Sequence, residues 1–344
     1  MNFLLNAASS LYGKAVTLHN HRFDKGLTRI NRAEVPVISV GNISAGGTGK
    51  TPFTQALVRL LQEKLPQERP AIVSRGYGRT TRGGLVISNG SQILVPDANR
   101  AGDEALLHAL TLAGTPVIVH EKRFEGSRMA VRDCGATCVV LDDGFQHRHL
   151  HRDLDIVLID AATLENTNLL PAGRLREPLH SLSRADVVCF MNGAKSHDTF
   201  HAVYSLLRAD TLLLTAEVRA TRLTNTITNE AVSLNTRVCG VSGIANPTRF
   251  HASLQEKSME IASALVFGDH VRYNLRHVRQ IVQTARSHRI SVIATTEKDL
   301  VKLRAFSDIF ASAGLTLAVL PIRCTIEQGK NAFCERVSVL LSSR

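Results

Sequence analysis

At 344 residues, with 44% hydrophobic and 21% charged residues, the chain has room for one large α/β domain and a smaller one. A net charge of +11 asks for an anionic partner, while 5% aromatics and no Trp leave out the stacking platform of a single-strand nucleic-acid groove. Phosphate groups or an anionic membrane surface are therefore the expected partners, and no nucleic acid and no obligate protein partner is expected.

In chain order, residues 2–18 carry Leu4, Ala8, Leu11, Tyr12, Ala15 and Leu18 at helical spacing, followed by His19, His21, Arg22 and Lys25. Such an amphipathic helix with a basic end fits either a membrane interface or a site packed on its own domain. The charges follow the apolar residues instead of preceding them, so the segment does not read as a cleavable leader. No uncharged apolar run reaches the roughly 18 residues that a bilayer-spanning helix needs.

From residue 35 the pattern becomes strand, turn, helix. Apolar strand-like runs at 35–40, 71–74, 116–120, 137–141, 155–159 and 187–191 alternate with helical segments such as 52–64, 104–113 and 123–132. Continuous apolar strands of this kind belong to a parallel sheet covered by helices on both faces. A polar helical segment follows over 193–209 and a β-rich stretch over 211–216. A second alternating set runs from about 237 to 321. The expected organisation is an N-terminal helix over 1–25, a main domain over 26–210 and a smaller α/β domain over 211–344. Six cysteines lie mostly in apolar runs and form no Cys-x-x-Cys pair, which argues against a zinc site or disulfide framework and fits a reducing, cytoplasmic compartment.

The strongest motif is Ser44, Ala45, Gly46, Gly47, Thr48, Gly49, Lys50 and Thr51, directly after the apolar run 35–40. Glycines let backbone N–H groups curl around phosphates, and the following helix adds its N-terminal dipole. Lys50 supplies a charge beside the transferred phosphoryl group, and the Thr51 hydroxyl is a Mg²⁺ ligand. Pro52 falls in the first helical turn, where proline is tolerated. The usual opening glycine of this loop is Ser44 here. The second element is Asp142-Asp143 at the end of the run 137–141, where a strand end aims a carboxylate at the metal. ATP and Mg²⁺ are the expected cofactors of a P-loop NTPase-type fold. A guanine-specific switch is excluded, because Thr296-Glu297-Lys298-Asp299 lacks the residue that separates Lys and Asp in that recognition element. Kinases of soluble metabolites and nucleic-acid ATPases share the architecture and stay open at this point.

The remaining motifs carry a likeness. Gly46 to Pro52, Ser74-Arg75-Gly76-Tyr77-Gly78, Gly102-Asp103-Glu104, Asp142-Asp143-Gly144-Phe145-Gln146-His147, the run 170–178, Phe267-Gly268-Asp269-His270 and Thr296-Glu297-Lys298-Asp299 occur in order along nearly the whole chain. As an ordered set they resemble the tetraacyldisaccharide 4′-kinase family of lipid A assembly. The resemblance implies phosphorylation of the 4′-hydroxyl of a tetraacyl disaccharide 1-phosphate at the cytoplasmic face of the bacterial inner membrane. It also implies that Asp103 is the catalytic base, assisted by His270; from the residues alone Asp103 reads as a helix N-cap. The family's second His and its Pro after Gly-Asp-Glu are Val271 and Ala105 here. Thr51, Asp142, Asp143 and Gln146 are the expected metal set. Arg75, Lys122 and Arg123 are candidates for anionic substrate groups, and Arg79 reads as a surface charge. Arg174, Arg176 and Glu177 lie in a Pro/Gly-bounded loop that can gate the site. The run 147–153, with His147, His149 and His151, reads as a basic loop and not a metal site.

Overall fold

The structure, a computed structural model, describes residues 2–193, 201 and 203–342. The chain opens with helix α1 (Asn2–Asp24) and then builds β1 (Val37–Asn42), α2 (Lys50–Lys64), β2 (Pro70–Ser74), β3 (Leu85–Asn89), α3 (Ala98–Ala101), α4 (Asp103–Thr111), β4 (Pro116–Val119), α5 (Arg123–Cys134), β5 (Cys138–Asp142), β6 (Leu154–Ile159), α6 (Ala161–Glu165) and β7 (Val187–Met191). Then come β8 (Leu212–Ala220), β9 (Thr224–Asn225), β10 (Arg237–Ser242), α7 (Pro247–Glu256), β11 (Glu260–Val266), α8 (Leu275–Ser287), β12 (Val292–Thr296), α9 (Glu297–Leu303), α10 (Ser307–Ser312), β13 (Thr316–Leu320), β14 (Ile322–Gln328) and α11 (Lys330–Ser342). Of the helical segment expected over 193–209, residues 194–200 and 202 lie outside the described residues.

Two sheets organise these elements. The larger has nine strands in the order β14-β8-β7-β6-β1-β5-β2-β4-β3, and the smaller has five in the order β11-β10-β12-β13-β9. In the larger sheet β8 to β4 are parallel, and β14 and β3 add antiparallel edges. β1 lies between β5 and β6, with Val40 opposite Asp142 on one side and Ile156 on the other. The sheet therefore switches direction at β1, and the crevice at such a switch, beyond the carboxyl ends of the strands, is where open α/β sheets bind ligands.

Helix α2 follows from its spacing. Phe53, Leu57 and Leu61 recur every fourth residue, lie on one face and are fully buried against the sheet. Each such burial contributes roughly 1.5–3 kcal/mol. Pro66, just past the C-terminus, cannot continue the helix. Behind the sheet, α5 approaches closely because residue 126 is glycine: a β-carbon there would stand 2.7 Å from Val73 Cγ1.

The expected boundary at 211 is displaced. Residues 212–220 form β8 of the larger sheet, and the chain returns to that sheet in β14. Phe333, Val337 and Leu341 of α11 then pack into the core around α2 and β1, with residues of the larger sheet. Hydrogen bonding decides this, since β8 completes the parallel row beside β7 and β14 pairs antiparallel on its free edge. The smaller α/β unit is thus an insertion between β8 and β14.

Candidate active site

The loop from Ile43 to Gly49 joins β1 to α2. Asn42 at the strand end donates to the Thr48 hydroxyl at 2.8 Å, and Lys50 Nζ donates to Asn42 Oδ1 at 3.1 Å. Gly46 adopts φ +112°, which a side chain would strain, and it is exposed. Arg174 lies over it: its guanidinium donates to the Ala45 carbonyl at 3.2 Å, while Ala45 N–H donates back to the Arg174 carbonyl at 2.7 Å. The first-turn N–H groups of α2 have no acceptor within the helix. An exposed glycine cradle, free helix amides and a lysine at its mouth fit a polyphosphate.

At the end of β5, two carboxylates face different partners. Asp142 is buried, accepting from the Thr54 hydroxyl at 3.3 Å and lying 2.9 Å from His108 Nε2. Asp143 takes the left-handed conformation at φ +57° and turns toward Lys50 at 3.5 Å and Arg176 at 2.9 Å. Burial works to raise its pKa, but Lys50 and Arg176 outweigh burial and hold the carboxyl below its ordinary value. Gln146 donates to the Asn42 carbonyl at 2.8 Å, tying this turn to the end of β1. The two segments touch because residue 41 is glycine; a β-carbon there would lie 2.6 Å from that of Phe145. Arg123 is buried and faces this acidic end; burial first, with Arg75 adding and Asp143 and Asp142 opposing, pushes its pKa down to about 10.

Helix α4 brings a third carboxylate to the crevice. Gly102 occupies its N-cap position, so the Asp103 carboxylate is free to point across to the smaller sheet. Its Oδ2 lies 3.3 Å from His270 Nδ1 and 3.1 Å from Lys302 Nζ. Burial raises its pKa, yet the His270 hydrogen bond and Lys302 together hold it below its ordinary value. His270 in turn is raised, chiefly by that same hydrogen bond. The loop bearing His270 is fixed by its N–H to the Gly243 carbonyl at 3.2 Å and by Tyr77, whose ring lies edge-on at 5.5 Å. Beside this contact Lys298 Nζ meets Glu104 Oε1 at 2.5 Å, and Arg272 donates to the Gly78 carbonyl at 2.9 Å.

With this geometry in place, known proteins bear on the chain. A sequence model of the family described as tetraacyldisaccharide-1-P 4′-kinase matches residues 1–341. The chain belongs to that family. Proteins named tetraacyldisaccharide 4′-kinase from Chlorobaculum parvum and Chlorobium limicola are each 36% identical to it, over 92% and 98% of this chain and 90% and 96% of theirs. A crystal structure of the "apo" form of LpxK from Aquifex aeolicus, in complex with ATP, aligns with a TM-score of 0.79 at 29% identity, over 97% of this chain and 98% of that one.

In this tetraacyldisaccharide 4′-kinase family member, the expected phosphate-loop residues, Asp142, Asp143 and Gln146 meet where β1 and β5 end, and Asp103 meets His270. Arg123 joins them on the buried side, whereas Arg75 is exposed beside it and exposed Lys122, at the start of α5, enters none of these contacts. Arg79 is not a plain surface charge: its side chain is buried and bonds Glu121 at 2.6 Å and the Gly83 carbonyl at 2.6 Å, shaping the 75–83 loop. Within the run 147–153, Arg148 is buried and pairs with Asp24 at 2.6 Å. Sequence reasoning missed His108, Thr54 and Lys302. A weak signal existed for each: His108 falls one turn after Glu104, Thr54 one turn after Lys50, and Lys302 one turn after Lys298.

Proposed function

We propose that the chain moves the γ-phosphoryl group of ATP to the 4′-hydroxyl of a tetraacyl disaccharide 1-phosphate, with Asp103 accepting the hydroxyl proton. The observation that carries the reading is the carboxylate of Asp103, reached from the smaller sheet by His270, in the crevice of a phosphate loop. A sugar hydroxyl is a weak nucleophile, and a base within hydrogen-bond reach lowers its barrier as the proton leaves. The sugar oxygen forms the new bond to phosphorus, the bond to the β-γ bridging oxygen breaks, and ADP departs. Asp103, kept ionised, is ready to take the proton, and His270 orients it.

Lys50 and the amides of the 44–51 loop hold the phosphates in line with the acceptor. When bound, Mg²⁺ neutralises charge on the β- and γ-phosphate oxygens, and Thr51, Asp142, Asp143 and Gln146 are the residues that would hold it. The chemistry of that donor set fits, being oxygen ligands for a hard cation. Asp143, the less buried carboxylate and the one beside Lys50, is the direct ligand in this reading, while Asp142 is aligned by His108 and Thr54. Arg75, Arg123 and Lys122 receive the anionic part of the substrate, and the smaller α/β unit closes over the site.

The membrane side of the reading rests on α1. Its buried positions are Ser9, Gly13, Asn20 and, near the C-terminus, Phe23, with Ser9 donating to the Leu169 carbonyl at 2.7 Å and Asn20 to Glu177 at 2.8 Å. Leu4, Leu11 and Leu18, a heptad apart, are left 75%, 71% and 64% exposed. No helix among the described residues is long and apolar enough to cross a membrane. The leucine stripe, with His21, Arg22 and Lys25 at its end, rests in the interface of an anionic bilayer, at the cytoplasmic face of the inner membrane. The test is transfer of label from γ-labelled ATP to the disaccharide phosphate in mixed micelles. Labelled lipid supports the reading, and ATP hydrolysis with no labelled lipid overturns it.

A further inference from the structure

The proton-accepting carboxylate is held by two basic side chains, and only one of them is His270. Lys302 reaches the same atom, Asp103 Oδ2, from α9 at 3.1 Å. Its side chain is 8% exposed, and its ammonium group also lies 3.6 Å from Asp299 Oδ1 and 5.7 Å from the centre of the Tyr273 ring. A cation this enclosed is costly to hold unless carboxylates answer it, so its position is specified by the site and not by solvent. Asp299, itself 0% exposed, is anchored by Gly243 N–H at 2.9 Å and the Thr296 hydroxyl at 2.8 Å. The anchor runs from the frame of the smaller sheet through Asp299 and Lys302 to Asp103 on the larger one.

We propose that Lys302 is a positioning residue for phosphoryl transfer, which fixes the rotation of the Asp103 carboxylate and keeps Oδ1 open toward the acceptor hydroxyl. The inference rests on Asp103 as the base. The His270 hydrogen bond and the Lys302 ion pair both converge on Oδ2, and among the described residues Oδ1 has no protein partner within hydrogen-bond distance. The other charges around Asp103 are accounted for: Asp269 lies 4.0 Å from His270 on the loop, Lys298 on α9 is taken by Glu104, and Glu104 is on α4 itself. Lys302 is therefore the ammonium that stabilises the ionised form of Asp103 from α9.

The test compares Lys302→Met and Lys302→Arg with the wild type in the pH dependence of kcat/KM, with ADP binding by calorimetry as a second reading. An opposite charge at this distance lowers a carboxyl pKa by about one unit or more. The acid limb of Lys302→Met is expected to move toward neutral by about that much while its ADP affinity holds within about twofold, and Lys302→Arg is expected to restore the wild-type limb. An unmoved limb in folded Lys302→Met overturns the proposal. If that variant does not fold, the carboxyl carbon of Asp103 is titrated in His270→Ala, where Lys302 is the remaining basic partner: a midpoint below the ordinary carboxylate range supports the role, and one at or above it overturns it. Asp103→Asn separates the two readings. Full turnover in Asp103→Asn removes the base itself, whereas an inactive Asp103→Asn with an unmoved Lys302→Met limb removes only the role of Lys302.

Discussion

His108 stands in α4 with no solvent exposure, and its Nε2 lies 2.9 Å from Asp142 Oδ2. On the proposed reading Asp142 belongs to the set that would hold Mg²⁺, and a buried imidazole on such a carboxylate fixes its orientation; loss of outer partners of this kind costs about 10- to 100-fold in metal affinity or activity. His108→Leu is therefore expected to raise the Mg²⁺ concentration for half-maximal transfer by about that factor with little change in ATP binding measured without metal. An unchanged Mg²⁺ requirement would contradict the assignment. At this scale the sequence was legible wherever chemistry is written into consecutive residues: a strand, glycines, Lys50 and Thr51, or a strand ending in Asp142-Asp143. It was silent where a partner arrives from elsewhere. Nothing beside His108 names Asp142, which lies 34 residues on, and nothing beside Lys302 names Asp103. Asp103 itself read as an N-cap, and only Gly102 taking the cap freed it for other work.

At the scale of an element, α1 is held down by polar contacts and not by its leucines. Glu177 accepts from Asn20 and Arg184, each at 2.8 Å, and Arg148 spans the Asn20 carbonyl and Asp24. Burial raises the Glu177 pKa, but Arg184 and Asn20 outweigh it and hold the carboxyl below its ordinary value. The sign follows: this contribution to stability is present in full above that value and is lost as the pH falls through and below it. Amide exchange along α1 is expected to accelerate below about pH 4.5 before the larger sheet opens, and uniform exchange would contradict this. The leucine stripe makes a separate prediction. Changing Leu4, Leu11 and Leu18 together to Ser is expected to abolish sedimentation with anionic vesicles and leave the melting temperature within a few degrees, because exposed positions carry little folding energy. Retained vesicle binding would remove α1 as the membrane contact. Helical spacing revealed the helix; which face it buries was not legible, since both faces offer a periodic stripe and only Leu169 and Glu177 decide between them.

Over the whole molecule, the chain leaves the larger sheet after β8, builds the smaller one, and returns for β14 and α11. The expected break at 211 missed this because an inserted unit has no signature in local pattern, only in which edges remain to be paired. The return predicts where stability resides. Phe333 of α11 is fully buried in the core of the larger sheet, so Phe333→Ala is expected to cost about 3–5 kcal/mol and lower the urea midpoint of the main transition. A loss confined to the smaller unit would contradict the topology. The same excursion places His270, Lys298, Lys302 and Arg272 against α4 and the 75–79 loop, so the candidate base is shared between the sheets.

The measurement that bears most directly on that shared site is phosphoryl transfer by Asp103→Ala, run beside the wild type with γ-labelled ATP and tetraacyl disaccharide 1-phosphate in mixed micelles. Labelled lipid from the wild type, a loss of about 10²-fold or more in the variant and unaltered ATP binding in both are the predicted results. Equal labelled lipid from both chains would contradict Asp103 as the proton acceptor.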